Sequence, residues 1–215
     1  MNLPLWALRS LLVILSLVFW FWSQKLIGSR EFPDGRIGDR LLDLTAPWHR
    51  FLLDNPKWAD RLLILSSLLI DALGLFIIGL ALFGSSVRPF IGMLTVFILR
   101  QVCQGLVSLP SPEKMIWRDP GFPSLFVTYG VATDLFFSGH TAIAVYGCLE
   151  LGRLLGPPGI VAGVVIALIE MTAVLVLRAH YTMDVFTGAV TALWIFAVAG
   201  EIAPFVDGFL ARLAG

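Results

Sequence analysis

Residues 62–83 read LLILSSLLIDALGLFIIGLALF, and this stretch decides which folds are open to the chain. It is 22 residues long, with one charge (Asp71) and no proline. At about 1.5 Å per residue, a helix of that length crosses the roughly 30 Å of hydrocarbon in a bilayer. Working outward, five more apolar segments qualify: 4–23, 89–109, 135–155, 159–177 and 183–203. Backbone groups in lipid must be bonded within the segment, and none of the six alternates like a barrel strand, so all are expected to be helices. The expected fold is an all-α integral membrane protein, a single bundle of six transmembrane helices over residues 1–215.

Composition points the same way. Hydrophobic residues make up 58% of the 215, and mean hydropathy is +0.87. Fifteen basic and fifteen acidic residues cancel, with no basic run, so nucleic-acid binding has no electrostatic footprint. Seventeen of the thirty charges fall in 24–61 and 110–133, which leaves the apolar segments nearly uncharged. Cys103 and Cys148 both lie inside apolar segments and make no disulfide framework. Segment 4–23 lacks a small-residue cleavage site and reads as a retained span, not a signal peptide. Within the 24–61 loop, residues 37–53 are weakly amphipathic and carry Trp48 and Phe51, which suits either the membrane interface or core packing.

Six spans put the loops after spans one, three and five on one side. Ten Lys/Arg lie around that face and four around the other. At face value the positive-inside rule places that face in the cytoplasm, although the ten cations are interleaved with eight acids in the two loops.

Two polar strings open or close spans at the same face. One is Asp134-Leu-Phe-Phe-Ser138-Gly139-His140-Thr141, the other Arg178-Ala-His180-Tyr181-Thr182-Met-Asp184. His180 and Asp184 are four apart and share one face of a helix. A carboxylate bonded to one imidazole nitrogen fixes the tautomer and makes the other nitrogen a better nucleophile. Arg178 puts a permanent cation beside the pair, suited to a phosphate oxygen. In the first string, Gly139 permits close backbone approach, Ser138 and Thr141 can donate to an oxyanion, and Asp134 can cap the fourth span or orient a histidine. An interfacial His–Asp pair that merely caps a helix is the structural alternative for either string alone. Both strings on one face point to chemistry.

The strings resemble the signatures of the sphingomyelin synthase family, within the type-2 phosphatidate phosphatase superfamily. Asp134 to Thr141 matches D-x3-S-G-H-T, and His180 to Val185 matches H-Y-T-x-D-V. Arg100 followed by Leu109-Pro110-Ser111-Pro112 matches a third motif, and Phe32-Pro33-Asp34 keeps part of a fourth. The Arg178-x-His180-Tyr181-Thr182 variant also resembles plant enzymes that exchange phosphocholine between phosphatidylcholine and diacylglycerol. Three features depart from the family: its later tyrosine is missing near Phe186 and Thr187, Ala179 replaces an aspartate, and no lysine-rich phosphatase motif is present.

The resemblance implies a headgroup transferase with a phospholipid donor and a lipid-hydroxyl acceptor, its active face exoplasmic. His180 would be the nucleophile, Asp184 its orienter and His140 the acid and base. Arg100, Asp134, Ser138, Gly139, Thr141, Arg178 and Tyr181 would contact substrate. A lipid phosphatase or phospholipase C-type hydrolase, with water as acceptor, would use the same residues. A silent lipid-binding scaffold would have no use for the full His–His–Asp set. Asp34-Gly35 with Asp39 and Asp43 superficially resembles the metal string of nucleotide-alcohol phosphotransferases, but the rest of that motif is missing. No cofactor and no metal is expected.

Four ionisable residues fall inside spans: Asp71, Arg100, Glu150 and Glu170. Such residues are costly in lipid and usually face a partner. Asp71 and Arg100 lie at similar depth, roughly 13–15 Å below the motif face by helical rise. They are expected to pair or to share a polar floor, and Glu150 to pair with Arg153.

Overall fold

The computed structural model describes residues 37–127, 129 and 135–214, with Val18 and Trp22. The chain forms two compact units, Met1–Gly38 and Asp39–Gly215. In the first, Val18 and Trp22 are helical. The rest of expected span 4–23, Phe32-Pro33-Asp34 and Asp134 lie outside the described residues.

All regular structure among the described residues of the second unit is helical: α1 (Arg40–Leu44), α2 (Ala46–Asp54), α3 (Pro56–Phe83), α4 (Arg88–Leu106), α5 (Gly139–Leu155), α6 (Pro157–Val176) and α7 (Thr182–Ala214). Four of these, α3, α4, α6 and α7 as far as Phe209, are long and apolar enough to cross a membrane. That makes the chain a multi-pass membrane protein. The outward faces agree, since Leu75, Val161, Leu168 and Leu193 all expose more than half their surface. In water such a surface would be a liability; against acyl chains it costs nothing.

Helix boundaries follow local chemistry. Proline opens α2, α3, α4 and α6 within the first two positions, where its missing N–H is no loss. α3 therefore begins at Pro56, earlier than the apolar run alone suggests. α4 stops at Leu106 because Val107 turns extended ahead of the Leu109-Pro110 step. α5 begins at Gly139 instead of 135 because the Ser138 hydroxyl accepts from the Thr141 amide and caps it there. At 17 residues α5 is the shortest of the long helices. It is also the central one, packing on α3, α4, α6 and α7. Small buried residues (Gly139, Ala142, Ala144, Gly147, Gly152) let its neighbours approach.

The ionisable residues inside spans have found partners, though not all the expected ones. Glu150 pairs with the Arg88 guanidinium, accepts from Tyr146 at 3.0 Å and lies 3.5 Å from Arg153. Glu170 accepts from Ser66 at 2.7 Å, joining α6 to α3. The expected Asp71–Arg100 pairing is not formed. The Asp71 carboxylate instead accepts from the amides of Leu125 and Phe126 at 2.9 and 3.0 Å, and from the Ser124 hydroxyl at 3.2 Å. Depth along two helices says nothing about a loop, and here the 124–126 loop reaches down to claim the carboxylate. Gly74 makes the room, because a Cβ there would sit 2.5 Å from the Phe126 ring.

The 37–53 segment packs one side into the core and leaves the other exposed. One face is buried, with Leu42, His49 and Leu52 each at most 7% exposed; the other displays Leu44, Trp48 and Phe51.

Candidate active site

His180 sits in the five-residue turn, 177–181, between α6 and α7. α6 ends in a Schellman arrangement: the Ala179 amide donates to Val174 O at 2.9 Å and the Arg178 amide to Leu175 O at 3.0 Å. The position that glycine normally fills there is Arg178, with φ +54°. A non-glycine residue in the left-handed region costs roughly 1–2 kcal/mol. Strain of this kind tends to persist where a side chain is needed. The Arg178 guanidinium donates to Glu113 O at 3.2 Å. Its buried Nε has no hydrogen-bond partner among the described residues.

α7 starts immediately after the turn. Asp184 Oδ2 accepts from the Tyr181 amide at 2.9 Å and lies 3.5 Å from His180 Nδ1. That is longer than a hydrogen bond, and the two do not share a helix face as their spacing suggested, because His180 lies in the turn and only Asp184 is in α7. The Tyr181 phenol donates to Pro110 O at 3.0 Å, so Tyr181 fastens the turn to the Leu109–Pro112 motif. Burial, with Asp184, Asp39 and Glu113 nearby, holds that phenol above its usual range, and it remains a neutral donor.

His140 lies at the first turn of α5. Ser138 and Thr141 are fully buried beneath it: the Ser138 hydroxyl accepts from the Thr141 amide at 3.3 Å and the Thr141 hydroxyl at 3.0 Å. The Ser138 amide donates to Asp184 O at 3.1 Å, which ties the two histidine strings together through backbone. Arg100 reaches across from α4, its Nε donating to Phe137 O at 3.1 Å. It passes so close to Gly139 that a Cβ there would stand 2.9 Å from Nε. Glycine here leaves room for the arginine to pass without shifting.

His140, His180, Arg100 and Gly139 line one cavity of about 50 Å³, together with Trp117 and Phe126. At about 10–15 Å³ per probe-sized water, this is room for a group the size of a phosphoryl. His140 Nε2 is buried with no hydrogen-bond partner among the described residues. The guanidinium lining the cavity is that of Arg100; Arg178 lies beside the histidine turn but does not line it. Among the described residues, no three His, Cys, Asp or Glu side chains gather as metal ligands.

Sequence reasoning missed two contributors. Trp117 meets the His140 ring edge-on at 5.1 Å, and nothing in its spacing announces this. Asp39 appears in the sequence only within a false metal string, yet it bonds Thr182 directly, at 2.6 Å to the amide. His49 had no role assigned. It is buried and its Nδ1 lies 2.9 Å from Val176 O, so Nδ1 carries the proton and donates. Burial, with Arg178 and Lys114 nearby, lowers its pKa and keeps it neutral.

Comparison with known proteins bears on the stretch that holds this geometry. The model of the family described as AtPDCT1/2 matches residues 39–201, about three quarters of the chain. This chain belongs to that family. The match spans both histidine strings and all the described site residues. A similar curated protein is phosphatidylcholine:diacylglycerol cholinephosphotransferase 1 of Arabidopsis thaliana, 23% identical over 158 residues, which are 74% of this chain and 51% of the relative. The chain thus spans about half the length of the curated relative it matches. No solved structure matches this AtPDCT1/2-family chain.

Proposed function

We propose that the chain is a membrane phospholipid headgroup transferase of the sphingomyelin synthase-like kind. It would move a phospho-alcohol headgroup, phosphocholine or phosphoethanolamine, from a glycerophospholipid to the hydroxyl of diacylglycerol or ceramide. The observation that carries this reading is the single phosphoryl-sized cavity shared by His140, His180 and Arg100. The name of the Arabidopsis relative, a phosphatidylcholine:diacylglycerol cholinephosphotransferase, supports the choice of reaction.

In the first half-reaction His180 Nε2 attacks phosphorus and the bond to the diacylglycerol oxygen breaks. His140 gives that oxygen its proton. The product is a phosphohistidine carrying the headgroup. In the second half, the acceptor hydroxyl gives its proton to His140 and attacks phosphorus, and the P–N bond breaks. Asp184 orients His180 and bears the cation that forms on it. Arg100 faces the phosphoryl oxygens, with Arg178 as the second cation at the turn. The chain would complete its bundle with the 4–23 span and α5, six helices in all, and the histidine face would be exoplasmic.

The test is incubation of purified protein with headgroup-labelled phospholipids and both acceptors, followed by resolution of the lipid products. The reading predicts label in a new phospholipid and an acid-labile, alkali-stable phosphoenzyme. Release of water-soluble phospho-alcohol whether or not acceptor is present would make the chain a hydrolase instead.

A further inference from the structure

We infer that Asp39 is a positioning residue for His180, an assignment that rests on His180 being the nucleophile. Helix α7 opens directly after the histidine turn and needs an N-cap, since its first amides have no partner within the helix. Tyr181, at the cap position, has no side-chain acceptor to offer; its hydroxyl is spent on Pro110. The acceptor comes from 143 residues away. Asp39 Oδ2 accepts from the Thr182 amide at 2.6 Å, and Oδ1 from the Thr182 hydroxyl at 2.5 Å.

The same carboxylate caps a second helix. Oδ1 also accepts from the amides of Leu41 and Leu42, at 3.1 and 3.3 Å, and so starts α1. One side chain therefore joins the start of a surface helix to the start of the helix that carries Asp184. Leu42, three residues on, packs in a buried cluster with Tyr181 and Leu135, which holds α1 against the turn. His49, one helix later, binds Val176 at the upstream end.

The consequence for the nucleophile is geometric. The turn is fixed upstream by the Ala179–Val174 bond and downstream by the Thr182–Asp39 bond, so the position of His180 is set from both sides. Asp184 Oδ2 must serve the Tyr181 amide and stand beside His180 at once. That arrangement survives only if the first turn of α7 stays wound and in place. Without Asp39 the first turn frays, and the His180–Asp184 alignment goes with it, although neither residue has changed.

The experiment uses the full chain reconstituted in liposomes, with phosphatidylcholine labelled in its phosphate and diacylglycerol as acceptor. Asp39→Ser keeps a good cap for α1 but is too short to reach Thr182; Thr182→Val removes the hydroxyl bond alone. Displacements of about 1 Å at a reacting group cost about a hundredfold in rate. Asp39→Ser is therefore expected to lower kcat about ten- to hundredfold, with KM within about twofold and thermal stability near wild type. Label should accumulate on His180 more slowly in proportion. Thr182→Val should fall in the same direction by less, and the double variant should be no worse than Asp39→Ser, since both remove one shared interaction.

Wild-type kcat in Asp39→Ser, or a loss carried wholly by KM or by unfolding, overturns the assignment. Should Asp39→Ser fail to fold, Thr182→Val decides, and wild-type kcat there overturns it. His180→Ala as a control separates the two readings. If that variant turns over normally, the nucleophile and its positioning residue fall together. If it is dead while Asp39→Ser is fully active, only the Asp39 assignment falls.

Discussion

At His180 two neighbours act on different atoms: Asp184 faces the imidazole Nδ1, and Arg178 holds the backbone in its left-handed turn. His140→Ala and His180→Ala are each expected to abolish transfer while the protein remains monodisperse and folded in detergent; normal turnover by either would remove the proposed mechanism. Asp184→Asn should cost up to about 10⁴ in kcat, as comparable tautomer-breaking changes do in serine hydrolases. A loss below tenfold would leave Asp184 as no more than the residue that binds the Tyr181 amide. His49 gives a pH signature in stability. Its folded pKa lies below the ordinary 6.5, so between those two values the unfolded chain binds the proton and the folded chain does not. Above about pH 6.5 both states are neutral at this residue and the contribution is fully present. Stability therefore declines as pH falls below that value and levels off beneath the folded pKa. His49→Gln, which keeps a donor for Val176, should flatten the decline between pH 7 and 5 in thermal melts.

At the scale of elements, helix ends carry more of the design than helix faces. α4 starts under a borrowed cap at the end of the bundle away from the histidines: Asp207 Oδ1 accepts from the Val87 amide at 2.9 Å and Oδ2 from the Ser86 hydroxyl at 2.6 Å. Asp207→Ala should cost about 1 kcal/mol, the usual worth of an N-cap, and leave kcat unchanged. Opposite behaviour is expected at the end of α6. Arg178→Gly relieves a left-handed arginine and loses one exposed hydrogen bond to Glu113. Melting should stay at or above the wild-type temperature while transfer falls at least tenfold. An unchanged rate would mean that the arginine side chain is not needed for transfer.

Across the whole molecule, sidedness and charge neutralisation are the properties to measure. Phosphoryl transfer needs its developing charge met, and in kinases Mg²⁺ does much of that. Here the Arg100 guanidinium already lines the cavity, so activity is expected to survive EDTA, and Arg100→Ala to reduce it far more than chelation does. Sidedness follows from labelling Pro123→Cys in a Cys103→Ser background, in sealed cells. Reaction without permeabilisation places the histidine face outside; reaction only afterwards means that the ten cations around that face obey the positive-inside rule.

Much of this protein is fixed locally and can be read from the chain. Apolar runs of about 20 residues specify helices because lipid leaves the backbone no other partner. Prolines and Ser138 set helix starts within a few residues, while α4 and α7 take their caps from Asp207 and Asp39 far along the chain. The four-residue spacing of His180 and Asp184 keeps them near each other, 3.5 Å apart, although His180 lies in the turn ahead of α7. What the sequence could not determine is which distant groups would meet. Asp71 looks like a partner for Arg100 until the 124–126 loop takes its carboxylate, and Asp39 looks like part of a metal string until it caps α7. Trp117 gives no sign of lying against His140, and Gly139 gives none of being passed closely by an arginine 39 positions earlier. Those contacts depend on how helices and loops stack in three dimensions, where a carboxylate takes whichever donors packing delivers.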